Sequence, residues 1–526
     1  MIPLTWVSLI PPVLVVFLAI WKKNITFALT SGIVCGLIIL RTMALPGTID
    51  SYNILDMTVY GLNLMVDSIC ADGNVLLILF LLVLGGIIAI LTASGCANAF
   101  SAGAMKRLRT KRSAEGFTFL LGCLIFVDDY FNAITVGNVM VTITDRFKIS
   151  RAKLAYLIDS TSAPVTILIP VSSWVATIIS LIAPELAAYN LGHAGMSAFL
   201  SATVYNFYAW FTLAMVVAVI LFDVNVGKMK KFEEDFEQTG IDGTIYVDVN
   251  ESVVDDMAEK NRGTALDLIL VLVFLVLATF FIMLYTGGLF AGDCTVSQAF
   301  LNCDPNVSLT AAAFATLLLC FILFVFTGRL SMSKFSSAFL QGLKSMVSVT
   351  VILCLSWTFS ELMGSGGIMT GSFLAETFSG YLSGWLLPAA IFIISAIISF
   401  STGASWGAMS IMFPTSIAIC AAVDSTLINV VLGATLSGSV FGDHCSPLAD
   451  TTVLSSSGAG CRHLDHVSSQ LPYAVFVAVL CIFCFVAAAL FSAVALSYLL
   501  GICGILAFAF VARKLSRKES VQKNEE

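Results

Sequence analysis

Residues 117–153 read FTFLLGCLIFVDDYFNAITVGNVMVTITDRFKISRAK, an apolar run with Asp128-Asp129-Tyr130-Phe131-Asn132 at its centre. Basic residues bracket it: Lys106, Arg107, Arg109, Lys111 and Arg112 come before, and Arg146, Lys148, Arg151 and Lys153 come after. Short loops rich in Lys and Arg stay on the cytoplasmic side of a membrane, so both ends of this run belong on one face. A straight helix leaves on the face opposite to the one it enters. A re-entrant hairpin at about 117–144, with the polar tip at its turn, meets both constraints.

The rest of the chain suits such a hairpin. Its 526 residues are 58% hydrophobic and only 11% charged, with mean hydropathy +0.97, which excludes a soluble domain of this length. Stretches at 75–93, 266–284 and 309–326 are long enough to cross a lipid hydrocarbon core of roughly 30 Å. Residues 1–21 lack a basic start and read as a first span rather than a removable signal. No basic patch interleaved with aromatics points to nucleic acid. Neither a nucleophile–base pair nor a zinc spacing such as H-E-x-x-H points to an enzyme.

Carrying the charge count along the chain gives eleven spans and two hairpins. Lys22 and Lys23 place the loop after the first span inside. A second span at about 25–40 leads to an acidic outside loop (Asp50, Asp56, Asp67, Asp72), and 75–93 returns to the hairpin. A broken span at about 154–183 and a single span at 199–222 follow, then a hydrophilic cytoplasmic linker at 223–264. Spans at 265–289 and 308–327 flank an outside loop in which Cys294 and Cys303 are a candidate disulfide. Beyond 347–363 comes a second hairpin, about 385–424, around Ser401-Thr402-Gly403-Ala404-Ser405. A broken span at about 428–456 and spans at 471–491 and 493–512 lead to a basic tail (Arg513, Lys514, Arg517, Lys518, Lys523) placed inside.

The expected fold is therefore an all-α polytopic membrane protein with inverted-topology repeats. The first repeat is 1–222, the linker 223–264 and the second repeat 265–491, with a terminal helix and tail at 492–526. Inverted repeats with broken helices mark secondary transporters whose site lies near the midplane. The alternative is thirteen ordinary helices with no repeat.

A carboxylate in the middle of a membrane helix costs about 2.5–3.5 kcal/mol, so each one asks for a reason. Asp128, Asp129, Asp159, Glu361, Asp443 and Asp450 interrupt apolar stretches, and all but Glu361 fall in the hairpins and broken spans. Pro164 and Pro170 break the first broken span after Asp159, Ser160 and Thr161; Pro447 breaks the second within Asp443, His444, Ser446, Asp450, Thr451 and Thr452. Freed carbonyls, carboxylates and hydroxyls form an all-oxygen nest suited to a hard cation. One carboxylate holding either a cation or a proton would couple the two movements, with Asp129, Asp159, Asp443 and Asp450 as candidates. Asp450 also reads as a cap for the helix near Thr451, Asp128 as the partner of a nearby Lys or Arg, and Glu361 as a hydrogen-bonding structural residue. The turn Cys461-Arg462-His463-Leu464-Asp465-His466 reads as solvated rather than as a transition-metal site.

The run from Val440 to Cys461, continued by His463, Asp465-His466-Val467 and Gln470-Leu471-Pro472-Tyr473-Ala474, closely resembles the NhaC-type sodium/proton antiporter family. Asp128–Asn132, residues 146–154 and 159–174, and Ser401–Gly407 are similar to it too. The resemblance implies a homodimer in the plasma or inner membrane, with its C-terminus cytoplasmic and a transport domain moving elevator fashion against a scaffold. It implies sodium at the Asp129–Asn132 tip with the Asp159–Thr161 break, and at the Ser401–Ser405 tip with the Asp443–Thr452 break. Sodium ligands would be drawn from Asp129, Asn132, Asp159, Ser405, Asp443 and Asp450. Members exchange sodium for protons, or resemble carriers of organic acids or amino acids. No cofactor is implied beyond sodium ions and protons as coupling or transported ions. Leu448-Ala449 departs from the family's more usual Ile-Ser and removes a hydroxyl beside the second break.

Overall fold

The computed structural model describes residues 6–22, 25–43, 54–71, 73–96, 99–100, 108–126, 128–170, 172–191, 195–245, 263–292, 294–363, 367–369, 373, 383–447 and 449–525. Helices dominate them. The first four are α1 (Ile10–Lys22), α2 (Ile25–Met43), α3 (Ile54–Cys70) and α4 (Asn74–Ser94). Next come α5 (Lys111–Leu124), α6 (Asp129–Arg146), α7 (Arg151–Asp159), α8 (Ala163–Thr166) and α9 (Ser173–Ala188), followed by α10 (Gly195–Val204), α11 (Phe207–Phe222) and α12 (Lys228–Thr239). The second half has α13 (Ala265–Thr286), α14 (Val296–Leu301), α15 (Pro305–Phe321) and α16 (Met332–Met363). It closes with α17 (Leu387–Thr402), α18 (Ser405–Val423), α19 (Ile428–Cys445), α20 (Asp450–Ala459), α21 (His463–Phe491) and α22 (Val494–Glu525).

The chain is an all-α polytopic membrane protein. Among the described residues seven helices are long and apolar enough to cross a bilayer, or eight if the bent pair α10–α11 is one span. The seven include the hairpin arm α18 and the broken-span helix α19, whereas α1, the pieces α7–α9 and each helix of the pair α10–α11 are too short to count as one full span.

Packing sorts the helices into two groups. In one, α4 lies along α15 and α16, with α2, α3 and α13 beside them. In the other, α5–α9 interlock with α17–α21. The backbones of α6 and α20 nearly touch: a Cβ added at Gly458 would sit 2.6 Å from the carbonyl oxygen of Ala133, and Gly137 faces Gly458 across the same contact. Two helices carrying site residues thus meet where only glycine fits.

Three expectations are corrected, and a fourth is refined. The acidic loop before Asn74 contains α3, whose Asp56 and Asp67 hide a helical apolar stripe (Leu55, Val59, Leu62, Val66) that stays exposed. The span expected at 199–222 is bent by 46° between α10 and α11, where the Asn206 side chain caps α11 by accepting from Ala209 N. Cys294 and Cys303 are free thiols with α14 folded between them; Cys294 Sγ donates to Gly287 O. The described part of the 223–264 segment, expected as a hydrophilic linker, contains helix α12, docked as a strap on α5 and α7.

That strap has a clear cause. Helix α12 buries Met229, Glu233 and Phe236 and leaves its other face to solvent. Glu233 accepts from Ser150 N (2.7 Å) at the start of α7 and pairs with Lys111 (2.7 Å) at the start of α5. Lys153, fully buried on α7, pairs with Glu115 at 2.7 Å and approaches Glu233 at 3.9 Å. Burial alone would raise the Glu233 carboxyl, but the ammonium groups of Lys153 and Lys111 outweigh it and hold it below its ordinary range. Further on, Asp242 accepts from Arg151 N (2.6 Å) and Arg462 N donates to Thr244 O (2.8 Å).

Candidate functional site

Both breaks occur where the sequence supplies carboxylates, hydroxyls and proline. Helix α7 ends at Asp159, Ser160 is its C-cap, and the single turn α8 starts with Pro164 near its N-terminus. Helix α19 ends at Cys445, and α20 begins at Asp450 after Pro447. At the second hairpin, Gly403 takes a left-handed φ of 67° and separates α17 from α18.

Asp159 sits in a cage assembled from both halves of the chain. Its carboxylate accepts from Gln470 Nε2 (2.8 Å), Ser455 Oγ (3.2 Å) and Thr452 Oγ1 (3.3 Å). His466 Nε2 and His444 Nε2 lie 3.7 Å and 3.9 Å away. Gln470 Nε2 also donates to His444 O (2.5 Å), so both amide protons face acceptors and its Oε1 must accept. The partner there is His466 Nε2 at 2.9 Å, which fixes that nitrogen as protonated. His444 is held from both sides, by Tyr208 OH at Nδ1 (2.7 Å) and Ser160 Oγ at Nε2 (3.2 Å).

Asp443 makes the second acceptor site. Ser405 Oγ donates to its Oδ2 at 2.8 Å and Thr451 Oγ1 at 3.5 Å, while Ser446 Oγ donates to Phe400 O (2.7 Å) and fastens α17 to the break. The side chains of Ser401, Thr402 and Asp450 lie outside the described residues.

The first hairpin tip is built differently. Asp128 caps α6 through Phe131 N (2.9 Å). Asn132 Nδ2 donates to Gly122 O, Ile125 O and Thr161 O, tying both hairpin arms to the break. Asp129 is buried and, among the described residues, its Oδ2 has no hydrogen-bond partner; nor have Asn132 Oδ1, Ser162 Oγ, Ser172 Oγ, Trp174 Nε1 and Thr177 Oγ1. The Trp174 indole N–H lies within electrostatic reach of the Asp129 carboxylate without making a hydrogen bond to it, and the indole ring packs on Trp406 with centroids 4.4 Å apart.

Asp159, Ser160, Thr452 and His444 are thus brought together, Asp443 joins Ser405 and Thr451, and Asn132 joins Thr161. The first tip meets the Asp159–Thr161 break through Asn132 and Thr161, while the Asp159 carboxylate itself is met by groups from the second half, because α7 packs against α20 and α21. Glu361 is exposed and outside the cluster. Sequence reasoning missed Gln470, His466, Ser455, Tyr208 and Trp174. The four-residue spacing of His466 and Gln470 places them on one helical face, and that face is the buried one.

Comparison with known proteins decides the family. The family model described as the Na+/H+ antiporter family matches residues 165–490. The chain belongs to that family. An uncharacterized protein of Haemophilus influenzae is 36% identical over 483 residues, covering 90% of this chain and 88% of that protein. A malate-2H(+)/Na(+)-lactate antiporter of Bacillus subtilis is 44% identical over 82 residues, 16% of this chain and 17% of that one. The Alcanivorax borkumensis YdaH transporter shares the fold, with TM-score 0.51 and 13% identity over 90% of this chain and 98% of that one. This member of the Na+/H+ antiporter family is a multi-pass membrane protein and a secondary transporter, not an enzyme.

Proposed function

We propose that this chain exchanges sodium for protons by elevator-type alternating access. The observation that carries the reading is the Asp159 cage: one buried carboxylate, three donors from two other helices and two imidazoles within 4 Å. A carboxylate that holds a cation releases its proton, and one that holds a proton releases the cation, so the two fluxes are tied. The hydroxyl oxygens of Thr452 and Ser455 rotate from donating to the carboxylate to accepting a hard cation. Asp443, with Ser405 and Thr451, offers a second set of the same chemistry.

The two packed groups of helices support the elevator motion, with α5–α9 and α17–α21 as the moving body. Inverted repeats at 1–222 and 265–491 and a cytoplasmic C-terminus rest on the charge pattern; the plasma or inner membrane and the homodimer rest on the family resemblance.

A second reading is a sodium- or proton-coupled carrier of a small carboxylate or amino acid. The orphaned polar atoms of the first tip (Asp129 Oδ2, Asn132 Oδ1) and of residues 162–177 (Ser162 Oγ, Ser172 Oγ, Trp174 Nε1, Thr177 Oγ1) favour it, because a bare ion leaves most of them unsatisfied. The Bacillus subtilis relative, named for malate and lactate, favours an organic acid. Transport in sealed proteoliposomes separates the two. Sodium-driven proton flux without organic solute is expected for the antiporter. Flux that starts only when a dicarboxylate, lactate or an amino acid is added would replace it with the carrier.

A further inference from the structure

A cavity of about 230 Å³ opens between the start of α5, the end of α11 and the middle of α22. It is lined by Arg112, Phe222, Asp223, Asn225, Ala512 and Arg513, among others. Arg112 and Arg513 are exposed, and neither forms an ion pair among the described residues. The carboxylate in the lining is already engaged: Asp223 Oδ1 accepts from Asn225 Nδ2 (3.3 Å) and lies 3.8 Å from Lys153 Nζ. The cavity therefore presents two free guanidinium groups and the Asn225 side chain.

Its surroundings say which anion fits. Within three residues of the arginines and of Asp223, Leu221 on α11 and Phe510 and Val511 on α22 are exposed at 59%, 70% and 53%. Large apolar side chains exposed on membrane helices face acyl chains, so the cavity sits where that apolar surface gives way to charge. Guanidinium forks match phosphate oxygens, and apolar flanks match the chains attached to a lipid phosphate. A soluble phosphate would use only the arginines.

We propose that this cavity binds the phosphodiester headgroup of an anionic phospholipid, with Arg112 and Arg513 on the phosphate and the acyl chains along Leu221 and Phe510. The site shares no residue with the Asp159 and Asp443 clusters and stands whichever cargo the transporter carries.

Native mass spectrometry and melting curves of the detergent-solubilised full chain test it, with phosphatidylglycerol, phosphatidylcholine and soluble glycerol phosphate as probes. Phosphatidylglycerol is expected to remain bound and raise the melting temperature, whereas the other two are not. The double variant Arg112→Gln/Arg513→Gln should bind phosphatidylglycerol roughly thirtyfold more weakly, the loss of two basic contacts at an anionic lipid. Its melting temperature in phosphatidylcholine should equal that of the unaltered protein, showing that it folds. Lys514→Gln, which removes a nearby charge outside the cavity lining, should retain binding. Unchanged binding by the double variant, an equal loss in Lys514→Gln, or the same stabilisation by glycerol phosphate would overturn the proposal.

Discussion

Two buried carboxylates of the first half, Asp159 and Asp129, sit in opposite surroundings. Asp159 is saturated: three donors reach it and two imidazoles stand behind them. Asp129 has one oxygen with no partner, among five further side-chain atoms in the same condition. A burial that costs several kcal/mol when unpaired is offset at one carboxylate and left open at the other. Saturation holds the Asp159 carboxylate in one geometry until a cation takes the place of its hydroxyl donors, whereas Asp129 offers an open oxygen without any rearrangement.

The sharpest way to break this comparison is to neutralise each carboxylate in turn. Asp159→Asn is expected to lower sodium-driven flux about a hundredfold and to destabilise the protein by roughly 2–4 kcal/mol, since its donors lose a charged acceptor. Asp129→Asn should also lose flux, yet its melting temperature should hold or rise, because an unpaired charge is removed. Equal melting-temperature losses in the two variants would erase the distinction. Next in size, Gln470→Leu strips one donor from Asp159 and the partner from His466, for about 1–3 kcal/mol. Its flux should fall about tenfold while the cargo stays the same, as radiolabelled uptake would show.

Trp174→Phe is a smaller test, aimed at the open side. It keeps the ring against Trp406 and removes only the indole N–H, so stability should change by less than about 1 kcal/mol. The concentration of sodium or solute giving half-maximal transport should rise a few-fold, roughly the worth of one hydrogen bond. An unchanged value would place the cargo away from Asp129. The smallest effect is expected at the strap that grips α7. Glu233 is held below its ordinary pKa, so its contribution is present above that ordinary value and fades as pH falls through the lower folded one. Proteolysis within 228–245 should therefore stay flat from about pH 6 to about pH 9 and rise only below about pH 4.

Much of this was legible in advance because membrane sequences advertise their exceptions. Asp159, Asp443 and the prolines after them stand out against apolar neighbours, and the structure breaks its helices there. The paired basic flanks of residues 117–153 likewise announced a turn at Asp128, which now caps α6. What stayed hidden lacks that contrast. Gln470 and His466 look like ordinary members of a polar helix start, and their role appears only once α21 is packed against α7. The charged composition of α12 reads as linker; its docking comes from ion pairs with Lys111 and buried Lys153, which no local pattern reveals. Helix α3 was lost because two aspartates masked its apolar stripe.

The donors to Asp159 lie 293, 296 and 311 residues further along the chain. At roughly 5–20 residues per second of synthesis, the carboxylate waits about 15–60 s before Thr452, Ser455 and Gln470 exist. During that interval the first half must lodge in or beside the membrane with its central acid unmet. Biogenesis, not only transport, thus hangs on this residue: the last third of the chain completes a site that the first third has held open.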